Sequence, residues 1–162
     1  MVRNPSTVRL KISPEVAKIV GAGAPRDVQL AAARGALPLS GKDLLMVLFL
    51  LINGRDGELR QAGIATLKSL PAPILESNLA SAGLHPKLLE LVARLRISEP
   101  EVTGRIIVHP AVEESTLTYL ARHGNSLTLE QLAGHQDKLE SCPELIEAML
   151  ANPLRGRSLK LR

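Results

Sequence analysis

Between Gly54 and Pro71 the chain reads GRDGELRQAGIATLKSLP. Asp56 is placed to cap a helix, its carboxylate accepting from the free N–H groups of the first turn. Glu58 adds negative charge where the helix dipole favours it. Leu59, Ala62, Gly63, Leu67 and Leu70 then recur on one face at helical spacing. Gly63 falls mid-face, where a missing side chain lets a neighbouring helix approach, against a propensity cost of about 1 kcal/mol relative to Ala. Pro71 ends the segment. Arg60 stands four residues after Asp56, within reach of an i,i+4 ion pair. The stretch predicts one helix of a stacked helical repeat, with nothing catalytic in it.

An offset copy lies upstream. In APRDVQLAAARGALPL, Ala24 to Leu39, the residues Val28, Ala32 and Leu37 stand much as Leu59, Gly63 and Leu70 do, about 31 residues away. Gly35 suits the position just past a helix end. Ser40 is placed to cap the next helix, and Asn53-Gly54 to close it. That helix holds LLMVLFLLI, Leu44 to Ile52, too short for a bilayer span of roughly 20 residues and apolar enough to be buried on nearly all sides. Downstream, Ala80, Leu84, Leu89 and Val92-Ala93 match Val108, Val112, Leu117 and Leu120-Ala121 at a constant offset of 28. LTLEQLAGH and CPELIEAMLANP follow, with Pro143 at a helix start.

These residues carry a resemblance. DGELR at Asp56–Arg60, with its apolar spacing, resembles the second helix of HEAT repeats. EPEVTGRIIVHPAVEESTLTYLA, Glu99 to Ala121, is similar to a leucine-rich repeat variant unit. In that family an acidic-Pro-x-Val start leads to a short helix, a small-Pro turn and a second helix ending Leu-Ala. The resemblance covers residues 24–153 and implies an α-solenoid of antiparallel helices. The chain departs from the pattern at Thr103-Gly104-Arg105, where an Arg directly after Val is usual. It also lacks the cysteine cluster that can hold an iron–sulfur centre beside such repeats. Repeats of this kind host many activities, so the resemblance speaks to fold.

Composition agrees with an all-helical, aliphatic core. Aromatics are 1% of the 162 residues, Tyr119 and Phe49 alone, where a β-sandwich or barrel draws on more. The single cysteine, Cys142, forms no intramolecular disulfide and fits a reducing compartment. No apolar signal region stands at the N-terminus, so a cytoplasmic location is expected. The net charge of +4 is uneven: +5 over residues 1–42, −5 over 43–152 and +4 over 153–162. The basic ends are either solvated or meet an acidic surface, in the same molecule or the next.

Candidate chemistry is sparse. His85, His109, His123 and His135 form no i,i+4 pair with His or Cys, and turn or helix-end roles explain them better than a metal. Gly21-Ala22-Gly23-Ala24-Pro25 lacks the strand before it and the Lys-Ser/Thr after it that a phosphate loop needs, and reads as a linker. Glu99, Glu101, Glu113 and Glu114 sit at helix starts, where dipole and capping account for them. Cys142, followed by proline and with no marked base, reads as a buried structural thiol. No cofactor or metal is expected.

The reading that follows is an all-α protein, a short α-solenoid of antiparallel helical repeats. Its parts are a basic N-terminal segment with a short helix (1–23), a repeat domain (24–153) and a basic tail (154–162). The expected function is that of a non-enzymatic scaffold or adaptor binding another protein. The alternative is nucleic-acid binding through Arg9, Lys11, Arg26, Arg34, Arg155, Arg157 and Lys160, which requires these cations to converge on one surface. No membrane association is expected. Leu145, Ile146, Met149 and Leu150 exceed what one neighbouring helix covers. The C-terminal helix, Pro143 to Ala151, therefore either pairs with a second copy, with Arg155 and Arg157 near acidic groups of that copy, or is covered by its own preceding repeat.

Overall fold

Prolines and small polar residues set the helix starts. Pro14, Pro86, Pro100 and Pro143 each open a helix, where the missing N–H has no partner to lose. The computed structural model describes residues 12–39, 41–81 and 83–154; among these are eleven α-helices and no strand. The chain divides between Leu70 and Pro71 into two compact units. Pro71 is also where the stretch from Gly54 is expected to stop.

The first unit holds α1 (Pro14–Val20), α2 (Arg26–Ala33), α3 (Gly41–Ile52) and α4 (Gly57–Ser69). Helix α1 packs on α3, and α2 on both α3 and α4. The sequence expectation for α3 holds: Leu45 to Phe49, Leu51 and Ile52 are all buried. The proposed cap at Ser40 lies outside the described residues. Asp56 caps α4, its Oδ1 accepting from the N–H of Glu58 at 3.0 Å and of Leu59 at 3.2 Å. Leu59, Gly63 and Leu67 are its buried face. Gly63 is the close approach to α3, since a Cβ there would lie 2.9 Å from Ile52 Cγ1.

Two local expectations change. Arg60 does not pair with Asp56. It turns back to the end of α3, Nε donating to Ile52 O at 3.1 Å and Nη2 to Gly54 O at 2.7 Å. Ile52 O, in the last residue of α3, has no intrahelical partner, and the Asp56 carboxylate is already engaged by Arg26. Asn53-Gly54 closes α3 without a left-handed residue: Asn53 Nδ2 donates to Phe49 O at 2.8 Å, and Gly54 N–H to Leu51 O. Gly35 is the left-handed glycine, at φ 70°, following α2. The N–H of Gly35 bonds Ala32 O and that of Ala36 bonds Ala31 O, the paired closure of a Schellman end.

The second unit holds α5 (Ala72–Leu79), α6 (Pro86–Leu95), α7 (Pro100–Ile107), α8 (Glu114–His123), α9 (Ser126–Ala133), α10 (Gln136–Ser141) and α11 (Pro143–Ala151). It packs as two rows: α5 on α7 and α7 on α9; α6 on α8 and α8 on α11. The offset of 28 runs through the second row without a gap. Leu89, Leu117 and Leu145 are buried, as are Val92, Leu120 and Ala148, and Ala93, Ala121 and Met149. The C-caps of α6, α8 and α11 are Arg96, Gly124 and Asn152 at the same interval.

Polar bonds tie matched places together at that spacing. His109 Nε2 is 2.7 Å from Ser81 O, Thr103 Oγ1 donates to Gln131 Oε1 at 3.1 Å, and Asn152 Nδ2 donates to Gly124 O at 2.8 Å. In each pair the residues are 28 apart. Gly104, inside the departure from the repeat pattern, leaves room for the Gln131 side chain that Thr103 bonds. A Cβ at Gly104 would lie 3.0 Å from Gln131 Nε2, which itself donates to Pro100 O at 2.8 Å.

Candidate functional site

Of the seven cations proposed for binding, Arg26 and Arg34 lie within the described residues; Arg9, Lys11, Arg155, Arg157 and Lys160 lie outside them. Arg26 opens α2 and is engaged by carboxylates of α4. It pairs with Asp56 through Nη1, and its Nη2 reaches Glu58 Oε1 at 3.0 Å. Hydrogen bonding to Asp56 raises the Arg26 pKa, and the same bond lowers that of Asp56. A phosphate at Arg26 would compete with two carboxylates already in place. Arg34 is the exposed C-cap of α2, eight residues along. Beside Asp56 lies an open cleft of about 220 Å³ floored by Val20, Leu51 and Leu59. It is smaller than the roughly 300 Å³ at which small-molecule pockets begin.

The second unit presents a polar strip where α6 meets α8. Lys87 Nζ lies 3.5 Å from Glu90 Oε2 and 3.3 Å from Glu113 Oε1. Its pKa is raised, first by the hydrogen bond to Glu113 and then by the charge of Glu90. Arg94 Nη2 is 3.3 Å from Glu90 Oε1, and its guanidinium carbon sits 4.3 Å from the centre of the Tyr119 ring. His123 also packs against Tyr119, the ring centres 4.7 Å apart and the planes tilted by 44°. An arginine on a tyrosine face is a partly pre-ordered cation, worth about 0.5–1 kcal/mol where exposed. It offers a guanidinium edge and an aromatic surface to a partner.

The histidines take the turn and helix-end places expected of them. His85 caps α6, Nδ1 accepting from Lys87 N–H at 3.0 Å. His109 is buried, with Nδ1 accepting from Ala111 N–H at 3.0 Å and Nε2–H donating to Ser81 O, which assigns the neutral Nε2–H tautomer. Among the described residues no group of three His, Cys, Asp or Glu side chains is placed to hold a metal ion. Cys142 is buried between α10 and α11, as a structural thiol should be. No described helix is long and apolar enough to cross a membrane.

One ion pair is more than surface decoration. Arg96, 4% exposed, pairs with Glu99, which holds Arg96 Nη2 at 2.6 Å. The bond to Arg96 holds Glu99 below its ordinary value of 4.5. A carboxyl depressed in the folded state stabilises the fold above its unfolded pKa, and that contribution is lost as pH falls through the lower folded value. Urea midpoints of the native chain should therefore drop as pH falls below about 4.5. Glu99→Gln should start lower at neutral pH and show a flatter acid limb. Parallel limbs for the two chains would show that the pair is not linked to stability.

The third copy of the register, in α11, is what inspection of the sequence missed. The signal was present as Leu145, Ala148 and Met149, 28 residues after Leu117, Leu120 and Ala121. No family model, curated protein or solved structure matches the chain.

Proposed function

We propose that the protein is a non-enzymatic helical-repeat scaffold, of the α-solenoid kind, that binds another protein. One observation carries this reading: successive helix pairs of the second unit pack in rows, with buried positions and polar bonds repeating every 28 residues. Such stacking gives each repeat the same exposed positions, and these form a continuous surface whose chemistry can vary from one repeat to the next. The Arg94–Tyr119–His123 group lies on that surface. Arg and Tyr are the residue types that most often anchor protein interfaces. HEAT-like and leucine-rich-repeat-variant character remains the family expectation attached to this proposal, and a cytoplasmic location accompanies it.

Chemical crosslinking in native extract, followed by affinity recovery, should yield one protein in near-equal amount with this chain. Recovery should fall about tenfold in a chain carrying Arg94→Glu and Tyr119→Ala, as expected for loss of two anchors. Recovery of the chain alone rejects the proposal. The alternative, nucleic-acid binding through the basic ends, predicts a gel shift at low salt that weakens steeply as salt rises.

A further inference from the structure

The Arg94–Tyr119–His123 group leaves hydrogen-bond donors unused. Arg94 stands in the last turn of α6, with Nη2 3.3 Å from Glu90 Oε1 and its guanidinium carbon 4.3 Å from the Tyr119 ring centre. A guanidinium carries its N–H groups in its own plane. One of them is turned to Glu90, and the others have no acceptor among the described residues. The Tyr119 hydroxyl and the exposed His123 ring have no hydrogen-bond partner there either. Tyr119 and His123 are four residues apart and so neighbours on the surface of α8. Charge along the strip is uneven. Lys87 lies between two carboxylates, Glu90 and Glu113, whereas Arg94 shares Glu90 alone. The last turns of α6 and α8 hold Arg94, Arg122 and His123 and no acid. Arg122, exposed and three residues after Tyr119, makes no ion pair among the described residues.

We propose that the Arg94–Tyr119–His123 group receives a carboxylate side chain from an acidic segment of the partner protein. An ionised carboxylate only accepts hydrogen bonds, and it can take guanidinium, phenol and imidazole donors together. A monoanion suits the place better than a phosphate dianion. Glu90 stays beside Arg94, and the C-terminal ends of both helices carry partial negative charge. The same two features keep the contact weak, with Kd of about 1 mM for a short acidic peptide. That the carboxylate belongs to a protein rests on the scaffold reading. The site itself is tested on the purified chain, so the two can fail separately.

Tyr119 is the only tyrosine of the chain, so its ring resonances report on this group alone. Titrating the full chain with N-acetyl-tetraglutamate amide should shift those resonances with Kd about 1 mM, and the tetraglutamine peptide should leave them in place. Arg94→Gln should raise Kd about threefold and Arg94→Glu about tenfold, as for an exposed charge pair removed and then reversed. Salt at about 0.5 M should weaken binding several-fold. Arg105→Gln is the control: Arg105 is an exposed arginine of α7, in the other row, and the change should leave Kd as it is. Circular dichroism checks that each variant is folded. Tyr119 resonances unmoved by about 10 mM tetraglutamate, ten times the expected Kd, overturn the proposal. Equal binding of tetraglutamine, or a Kd indifferent to the charge at Arg94, does so too. Tighter binding of inorganic phosphate at equal ionic strength would make the group a phosphate site and overturn the carboxylate. Tetraglutamate binding with the expected Arg94 dependence, beside recovery of the chain alone from extract, rejects the scaffold reading and leaves the carboxylate site standing. A recovered partner without tetraglutamate binding does the reverse.

Discussion

Replacing Gly124 by Ala should lower the stability of the second unit by about 3 kcal/mol, a large cost for one methyl group. The reason is space rather than backbone freedom. Gly124 has φ −71°, which any residue adopts. A Cβ there would stand 2.5 Å from Leu120 O, 2.6 Å from Thr128 Cγ2 and 2.7 Å from Thr128 Cβ. Neither neighbour gives way easily. Leu120 O already accepts the Gly124 N–H at 2.8 Å, closing α8. Thr128 is fully buried, and its hydroxyl is held by Asn125 Oδ1 at 3.2 Å. Gly134→Ala is the matched control: its new Cβ would find nothing nearer than Gln131 O at 3.4 Å. Urea unfolding should show a small change at Gly134 and a large one at Gly124. Thr128→Ala in the Gly124→Ala background should restore part of the loss, a non-additivity expected only if the two side chains collide. Equal midpoints for Gly124→Ala and Gly134→Ala would refute the packing argument.

What was legible in the sequence depended on locality. Asp56, Gly63 and Gly35 were readable because caps, close approaches and helix ends are written within a few residues. The offset of 28 between α6 and α8 was readable because both helices keep the same apolar residues. Its continuation into α11 was hidden by α10, a six-residue helix placed in the turn, and by Ile146 and Leu150, apolar where the matched places on α8 hold Thr118 and Arg122. The partners of Arg26 and Arg60 were not readable. Arg60 stands within i,i+4 reach of Asp56 but serves the end of α3, while Asp56 receives Arg26 from thirty residues away. Arg96, which carried no sequence expectation, is buried against Glu99. A long side chain has several partners within reach, some along the chain, as Glu99 is for Arg96, and some brought near by packing, as Asp56 is for Arg26, and spacing alone does not choose among them.

Those buried polar contacts also determine where the second unit is most sensitive, and Asn152 is the clearest case. It is 1% exposed and uses its whole amide. Nδ2 donates to Ala121 O at 3.0 Å and to Gly124 O at 2.8 Å, and Oδ1 accepts from Leu154 N–H at 2.8 Å. The end of α11 is thereby fastened to the end of α8. Asn152→Ala should cost about 3 kcal/mol, because two carbonyls and one N–H lose their bonds where little water can replace them. Asn152→Asp keeps the shape but faces a carboxylate oxygen toward two carbonyl oxygens. It should cost more at neutral pH, about 4 kcal/mol. The sign of its pH dependence separates the two explanations. A carboxyl buried against acceptors has a folded pKa above its unfolded value, so the fold is favoured at acid pH and loses stability as pH rises. Asn152→Asp should thus approach the native chain as pH is lowered toward about 4, while Asn152→Ala keeps its full deficit. If the two variants instead stay a fixed interval apart across that range, Asn152 acts by volume alone and its hydrogen bonds do not hold α11 to α8.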